Sequence, residues 1–310
     1  MYIYTLVILR TIIYMISNNF YFNTYPFILE LVFEYFQSSD NFKRIPLVSH
    51  KWKRIYYNTM TILINRKIKY ENIPPVVLNS KHYISCDNFH DTTINIFQNC
   101  IHLKYLDLSN GNLFDISAIR NCTELQHLNL SDCKAIFDVS AIGNCRNLQH
   151  LSLSNCSNIM DISTLSKCVE LQYLDLFNCN RITDVNVIGK FTKLLRLNCS
   201  HCYKINNITE FGNCKKLEFL YLNNCDISNI SSLENCPNLK YVSFSGCENI
   251  NDITVFRRCT ILQFLDISNC MIRDISVLNN CTSLEYIDIS NCSNIVEPYP
   301  KIFEIINVYK

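Results

Sequence analysis

Leu148-Gln-His-Leu151-Ser-Leu153-Ser-Asn-Cys156-Ser-Asn-Ile159-Met-Asp161-Ile162-Ser-Thr-Leu165 is one unit of an internal repeat that organises most of this 310-residue chain. Its anchor leucine recurs at Leu103, Leu125, Leu148, Leu171, Leu194, Leu217, Leu239, Leu262 and Leu284, always 22 or 23 residues apart. Periods of this size build solenoids, in which each turn packs only on its neighbours. Within Leu151-Ser152-Leu153 the side chains alternate, so a period of 2 places both leucines in the core and the serine outside. One short parallel strand per turn is expected.

The extra residue of the longer units falls just after the cysteine, as in Cys156-Ser157-Asn158-Ile159 against Cys225-Asp226-Ile227, and so in the loop leaving the strand. Return limbs such as Asp138-Val139-Ser140-Ala141-Ile142 are too short for a long helix, and their Asp-x-Ser chemistry favours a turn or a single 3₁₀ turn. One turn upstream, Ile84 and Cys86 align with the leucine pair, Ile94 and Phe97 with the return limb, and Cys100 with a cysteine column, as a degenerate first turn. Beyond Ile295 the period stops at Pro298 and Pro300, and Ile302, Ile305 and Ile306 suit a cap over the open end.

All eighteen cysteines obey the repeat. One column holds Cys133, Cys156, Cys179, Cys202, Cys225, Cys247, Cys270 and Cys292, with Gly111 the exception. A second, three residues before each anchor leucine, holds Cys100, Cys122, Cys145, Cys168, Cys214, Cys236, Cys259 and Cys281, with Phe191 the exception. Cys86 and Cys199 replace the second leucine of the strand. A zinc site needs four converging ligands, and the one close pair, Cys199 and Cys202, sends its first member into the core, so no metal or cofactor is expected. Stacked turns bring thiols near disulfide distance, yet free cysteine packs well in tight cores. A ladder of free thiols implies a reducing, cytoplasmic compartment. The glycosylation sequons Asn129-Leu-Ser131 and Asn198-Cys-Ser200 on core strands agree, because a glycan there would obstruct the concave face.

The unit from Leu148 matches the pattern L-x-x-L-x-L-x-x-N/C, the other units read like it, and residues 103–295 resemble leucine-rich repeats in nine units, of the short class seen in internalins. The resemblance implies an α/β solenoid with short parallel strands on the concave face and short 3₁₀ or irregular return limbs. A thiol then stands where related repeats bury an asparagine.

Residues 26–36 place Ile28, Leu29, Val32, Phe33 and Phe36 at helical spacing behind Pro26, a helix with a start signal. Asp40 suits a second cap, and Ile45 to Ile55 supplies an apolar stripe through Val48 to the chain's single tryptophan, Trp52. This stretch resembles the F-box, with Ile28, Leu29, Val32, Phe33, Tyr35, Phe36, Val48, Ser49 and Trp52 matching or nearly matching its pattern. It departs where the proline is shifted by one residue, where Phe27 replaces the acidic residue, and where Pro46 interrupts the second helix. The plain alternative is a helical cap on the solenoid. The F-box resemblance implies docking of a Skp-type adaptor through Pro26, Ile28, Leu29, Val32, Phe33, Val48 and Trp52.

Residues 1–17 are strongly apolar but shorter than the roughly 20 needed to span a bilayer, and they carry Arg10. They read as a weak anchor, a buried element, or an extension upstream of a true start at Met15; a membrane role is not expected. The expected organisation is an apolar extension at 1–22, an F-box-like domain at 23–58, a linker at 59–80, the repeat domain at 81–295 and a C-terminal cap at 296–310. A net charge of +1 speaks against nucleic-acid binding. Abundant Ile, Asn and Tyr beside five glycines resembles coding from an AT-rich genome, an amoeba, a protozoan parasite or a large DNA virus.

The outward strand positions form two columns. The first reads Tyr105, His127, His150, Tyr173, Arg196, Phe219, Tyr241, Phe264 and Tyr286, and aromatics in register suit a protein partner. The second reads Asp107, Asn129, Ser152, Asp175, Asn198, Tyr221, Ser243, Asp266 and Asp288, so a target with basic residues around an apolar centre would complement the face. The plainer reading is that the rings shield strand backbones. His127 and His150 have no aligned carboxylate or nucleophile, so no enzyme is expected. The two resemblances together imply a substrate receptor of an SCF-type cullin-RING ubiquitin ligase, with target, adaptor and cullin as partners, the last two belonging to the host if the source is viral. The alternatives are a plain leucine-rich-repeat scaffold without ligase association, or a membrane-anchored surface protein.

Overall fold

A computed structural model of the chain describes residues 62–63, 83–85, 94–296, 299–304 and 306–309. The F-box-like segment, the apolar stretch 1–17 and Cys86 lie outside these residues.

Among the described residues twelve parallel strands form one sheet in strict sequence order. They are β1 (Ile62–Leu63), β2 (Tyr83–Ser85), β3 (Tyr105–Asp107), β4 (His127–Asn129), β5 (His150–Ser152), β6 (Tyr173–Asp175), β7 (Arg196–Asn198), β8 (Phe219–Tyr221), β9 (Tyr241–Ser243), β10 (Phe264–Asp266), β11 (Tyr286–Asp288) and β12 (Asn307–Tyr309). Register never slips: His127 faces His150, Leu128 faces Leu151, and each later pair repeats the match. The ladder also runs past each strand, for Leu153 N donates to Asp175 O at 2.8 Å and Asn155 N to Phe177 O at 2.7 Å. Period 2 holds as expected, with Leu151 and Leu153 fully buried and Ser152 half-buried.

Both ends differ from the sequence reading. Residues 59–80, expected to be a linker, contribute β1, which pairs Ile62 with Ile84, so the sheet starts one turn before the degenerate first turn. The apolar pair Ile62-Leu63 lacks the cysteine column and the leucine anchor that made later turns legible. At the other end the cap extends the sheet, because β12 pairs Val308 with Ile287 after a 3₁₀ turn at Lys301–Glu304.

From Ser117–Asn121 to Ser276–Asn280 each return limb is a 3₁₀ helix of five residues, for example Ser140–Asn144 and Ser163–Lys167. The Asp-x-Ser signal works as an Asx turn: Ser140 N donates to Asp138 Oδ1 at 2.8 Å, Ser163 N to Asp161 Oδ1 at 2.7 Å and Ser276 N to Asp274 Oδ1 at 2.8 Å. These bonds hold the Asp161 carboxyl below its ordinary range, since the backbone N–H favours the charged form. Neighbouring limbs pack closely, and a Cβ on Gly143 would stand 2.7 Å from Thr164 O of the next turn.

The residue before each first-column position takes a left-handed backbone: Asn110, Asp132, Asn155, Asn178, His201, Asn224, Gly246, Asn269 and Asn291, with φ between 56° and 73°. Side-chain clash makes this region costly for most L-residues, and Asn, Asp and Gly tolerate it best. The recurring Asn-Cys dipeptide therefore joins a turn residue to a core residue. We expect Asp132→Gly to leave stability within about 0.5 kcal/mol of the parent and Asp132→Val to lower it by roughly 1–3 kcal/mol, measured by urea denaturation.

Candidate protein-binding face

The two cysteine columns sit behind the strands and limbs. Every described cysteine is free and buried. In the first column each thiol donates to the carbonyl of the second strand leucine, or its equivalent, one turn back: Cys156 to Leu130 O at 3.1 Å, Cys179 to Leu153 O at 3.0 Å and Cys202 to Leu176 O at 3.1 Å. That carbonyl already accepts an N–H from its own turn, as Leu153 O does from Cys156 N at 3.0 Å. In the second column Cys145 donates to Ile119 O at 3.5 Å and Cys168 to Ile142 O at 3.4 Å, the last apolar residues of the preceding 3₁₀ helices. The sequence reading gave these thiols a packing role alone. A thiol is a weak donor, but its recurrence on every turn stitches backbone to backbone through the core.

Desolvation by burial pushes the Cys122 and Cys133 thiols up to about 11 and those of Cys202, Cys214 and Cys281 up to about 12. Nucleophilic or metal-binding sulfur requires thiolate, so the ladders are chemically quiet. Among the described residues no cluster of three or more His, Cys, Asp or Glu is placed to hold a metal, and no helix is long and apolar enough to cross a membrane.

On the opposite side the first outward column forms two runs of stacked rings. His127 and His150 lie face to face at 4.2 Å and 13°, flanked by Tyr105 at 5.7 Å and Tyr173 at 5.8 Å. Phe219 and Tyr241 stack at 4.9 Å, Tyr241 and Phe264 at 6.1 Å, and Phe264 and Tyr286 at 4.6 Å. Arg196 bridges the two aromatic runs, its guanidinium 5.7 Å from the Tyr173 ring centroid and 5.6 Å from that of Phe219. Tyr309 on β12 lengthens the stack, 5.1 Å from Tyr286. Sequence reasoning missed it because it lies beyond the last regular unit.

The second outward column is less available than its carboxylates suggest. Asp107, Asp175, Asp266 and Asp288 each accept the backbone N–H two residues on, at 2.8–3.0 Å, and Asn129 and Asn198 do the same. These side chains close the turn after each strand and only then face a partner. Asp175 is held above the ordinary carboxylate range by its burial, a rise partly offset by Phe177 N–H and Arg196. Tyr221 stands apart in this column, 5.2 Å from the Arg196 guanidinium. Lys240 and Glu218 pair on the rim at 2.7 Å. A further aromatic group, missed in the sequence, gathers where Phe177 meets His201 at 5.0 Å and His201 bonds Tyr203 Oη through Nδ1 at 3.0 Å.

Residues 146–188, 215–258 and 262–301 match the family model described as leucine rich repeats (2 copies). No curated protein matches the chain. Among solved structures, the internalin InlF of Listeria monocytogenes is 26% identical over 69% of this chain and 68% of that one, with a TM-score of 0.56. Internalin C2 of the same bacterium is 22% identical, over 69% of this chain and 83% of that one, at 0.50. The functional domain of its InlJ, which includes a cysteine ladder, is 20% identical over 70% of this chain and 55% of that one, also at 0.50.

Two measurements check this geometry. A thiol pushed up to about 11 leaves on the order of 0.1% thiolate at pH 8, against roughly a quarter for an ordinary cysteine. Thiol-specific alkylation of Cys100 to Cys292 is therefore expected to run about a hundredfold or more slower in the native protein than in denaturant, followed by mass spectrometry. Burial lowers the pKa of both His127 and His150, and the His127 charge lowers His150 further. Below the ordinary value of 6.5 the unfolded chain binds more protons than the folded one, so stability present at pH 7 falls as the pH drops towards 5. Thermal melts of a His127→Phe/His150→Phe variant should show a shallower loss over that range. Repeat match and sheet agree: residues 146–188, 215–258 and 262–301 carry leucine-rich repeats, and the parallel sheet with its short 3₁₀ limbs is similar in fold to the internalin InlF.

Proposed function

We propose that the chain is the substrate-recognition subunit of an SCF-type cullin-RING ubiquitin ligase, holding a target protein on the concave face and a Skp-type adaptor through residues 23–58. The observation that carries the first half is the pair of ring stacks, Tyr105 to Tyr173 and Phe219 to Tyr309, joined by the Arg196 guanidinium along one side of the sheet. Large planar side chains held in register supply contact area at little cost in lost side-chain freedom. The second half rests on Ile28, Leu29, Val32, Phe33, Val48 and Trp52, which follow the F-box pattern, and on their position ahead of leucine-rich repeats. Such a subunit works by raising the effective concentration of target beside the charged enzyme. Free thiols on every regular turn support a cytoplasmic setting.

The reading predicts that an adaptor and a cullin co-purify with the full chain and that Leu29→Ala/Phe33→Ala removes them while the concave face is untouched. Absence of both proteins from the native complex, or their retention by the double variant, would sink the ligase half and leave the scaffold.

The likeness to InlF favours a second reading, a surface-exposed binder. Counting free thiols and glycans on protein from its native source separates the two. The ligase reading expects free thiols and unmodified Asn129 and Asn198, and disulfides or glycans there place the chain outside the cytoplasm.

A further inference from the structure

Nine turns of one solenoid share one packing task, so each column reuses the residue that packs best. The units act as an internal control: an exposed position that abandons its column's residue is not explained by packing. In the column of rings Arg196 is the one position that carries no ring. In the Asp/Asn/Ser column the departure is Tyr221, and among the left-handed turn residues it is His201. These departures fall on β7, β8 and the loop leaving β7, at the middle of the regular turns.

Arg196 is exposed and, among the described residues, its guanidinium meets the rings of Tyr173, Phe219 and Tyr221 at 5.2–5.7 Å and forms no hydrogen bond or ion pair. Packing against rings constrains the planar group, while the five N–H donors remain available to take a planar anion two at a time. Polar bonds made beside rings lose less to water than bonds made in the open. The other charges of the two columns are the carboxylates of Asp107, Asp175, Asp266 and Asp288, so the face rejects a polyanion. Asp175 on the adjacent strand stands against a dianionic phosphate more strongly than against a monoanion.

We propose that Arg196 is the anchor for an Asp or Glu side chain of a protein segment that lies across the concave face, its neighbours in that segment being apolar or aromatic and resting on the ring stack. This rests on the concave-face half of the proposed function and gives the target a recognisable feature.

The test presents a random-sequence peptide display library, fused at both ends, to the full-length chain. Enriched peptides are expected to share one Asp or Glu between apolar residues. Their synthetic versions should bind about tenfold or more weakly to Arg196→Gln and to a lesser extent more weakly to Arg196→Lys, which keeps charge without the planar fork. Selection on Arg196→Glu should replace the shared acid by Lys or Arg. A Phe264→Ala variant separates the two readings: binding lost there but retained in Arg196→Gln overturns the anchor and keeps the face, whereas binding retained in both overturns the face as well. Peptides without a shared acid, a requirement for a phosphate or a free C-terminal carboxylate, or a library that yields no binder each overturn the proposal.

Discussion

In-register parallel pairing of one short strand per turn is the constraint from which the rest of this domain follows. Strands held by backbone hydrogen bonds lie about 4.8 Å apart, and because Leu128, Leu151, Leu174 and Leu197 face one another across successive strands, every side chain meets its own counterpart from the next turn. A column must then be filled by residues that tolerate their copies at that distance. Leucines in the core do so by dispersion, rings on the outward face by stacking, and thiols behind the strands by donating a hydrogen bond to the carbonyl one turn back. Lysine or aspartate repeated at one position would meet its own charge. The Asp and Asn of the second column escape this because their oxygens are taken by the N–H two residues on.

Burial of so much backbone raises an accounting problem, since buried carbonyls need partners. Two carbonyls per turn lie where the chain leaves a regular element, one after the strand and one near the end of the 3₁₀ helix. On most turns each receives an N–H from its own turn and a thiol from the next, Phe191 being one position where no thiol is supplied. The short thiol fits the space between turns, and weak as each bond is, the arrangement repeats along the solenoid and couples neighbours directly. That coupling holds the pairing register on which the concave columns depend. It also explains why burial that raises the thiol pKa values does no harm: these cysteines serve as neutral donors.

The regularity that makes the scaffold also isolates what is specific to it. A face composed only of repeating residues would bind in many registers, because shifting a partner by one turn would present nearly the same surface. Arg196, Tyr221 and His201 break that degeneracy at one place, and the stacked His127–His150 pair breaks it at another. A partner that recognises these positions is held in one register, which is the requirement for positioning a target.

Much of the fold was legible in the sequence, because repetition multiplies each local signal: leucine spacing implied the turn, Leu-x-Leu the buried face, and Asp-x-Ser the 3₁₀ limb. The outward columns were legible for the same reason. What the sequence could not reveal was how columns meet their neighbours. That Asn before Cys is there for a left-handed backbone, that each thiol reaches a carbonyl one turn back, and that Asp107 and Asp288 are tied to turns all depend on backbone direction. The irregular ends, β1 and β12 with Tyr309, had no repeat to betray them. By itself the sequence determined the solenoid and which residues face outward, since both follow from period and alternation. Only the tertiary structure decided that Arg196 stands among the rings of Tyr173, Phe219 and Tyr221, because that depends on the distances between side chains of successive turns.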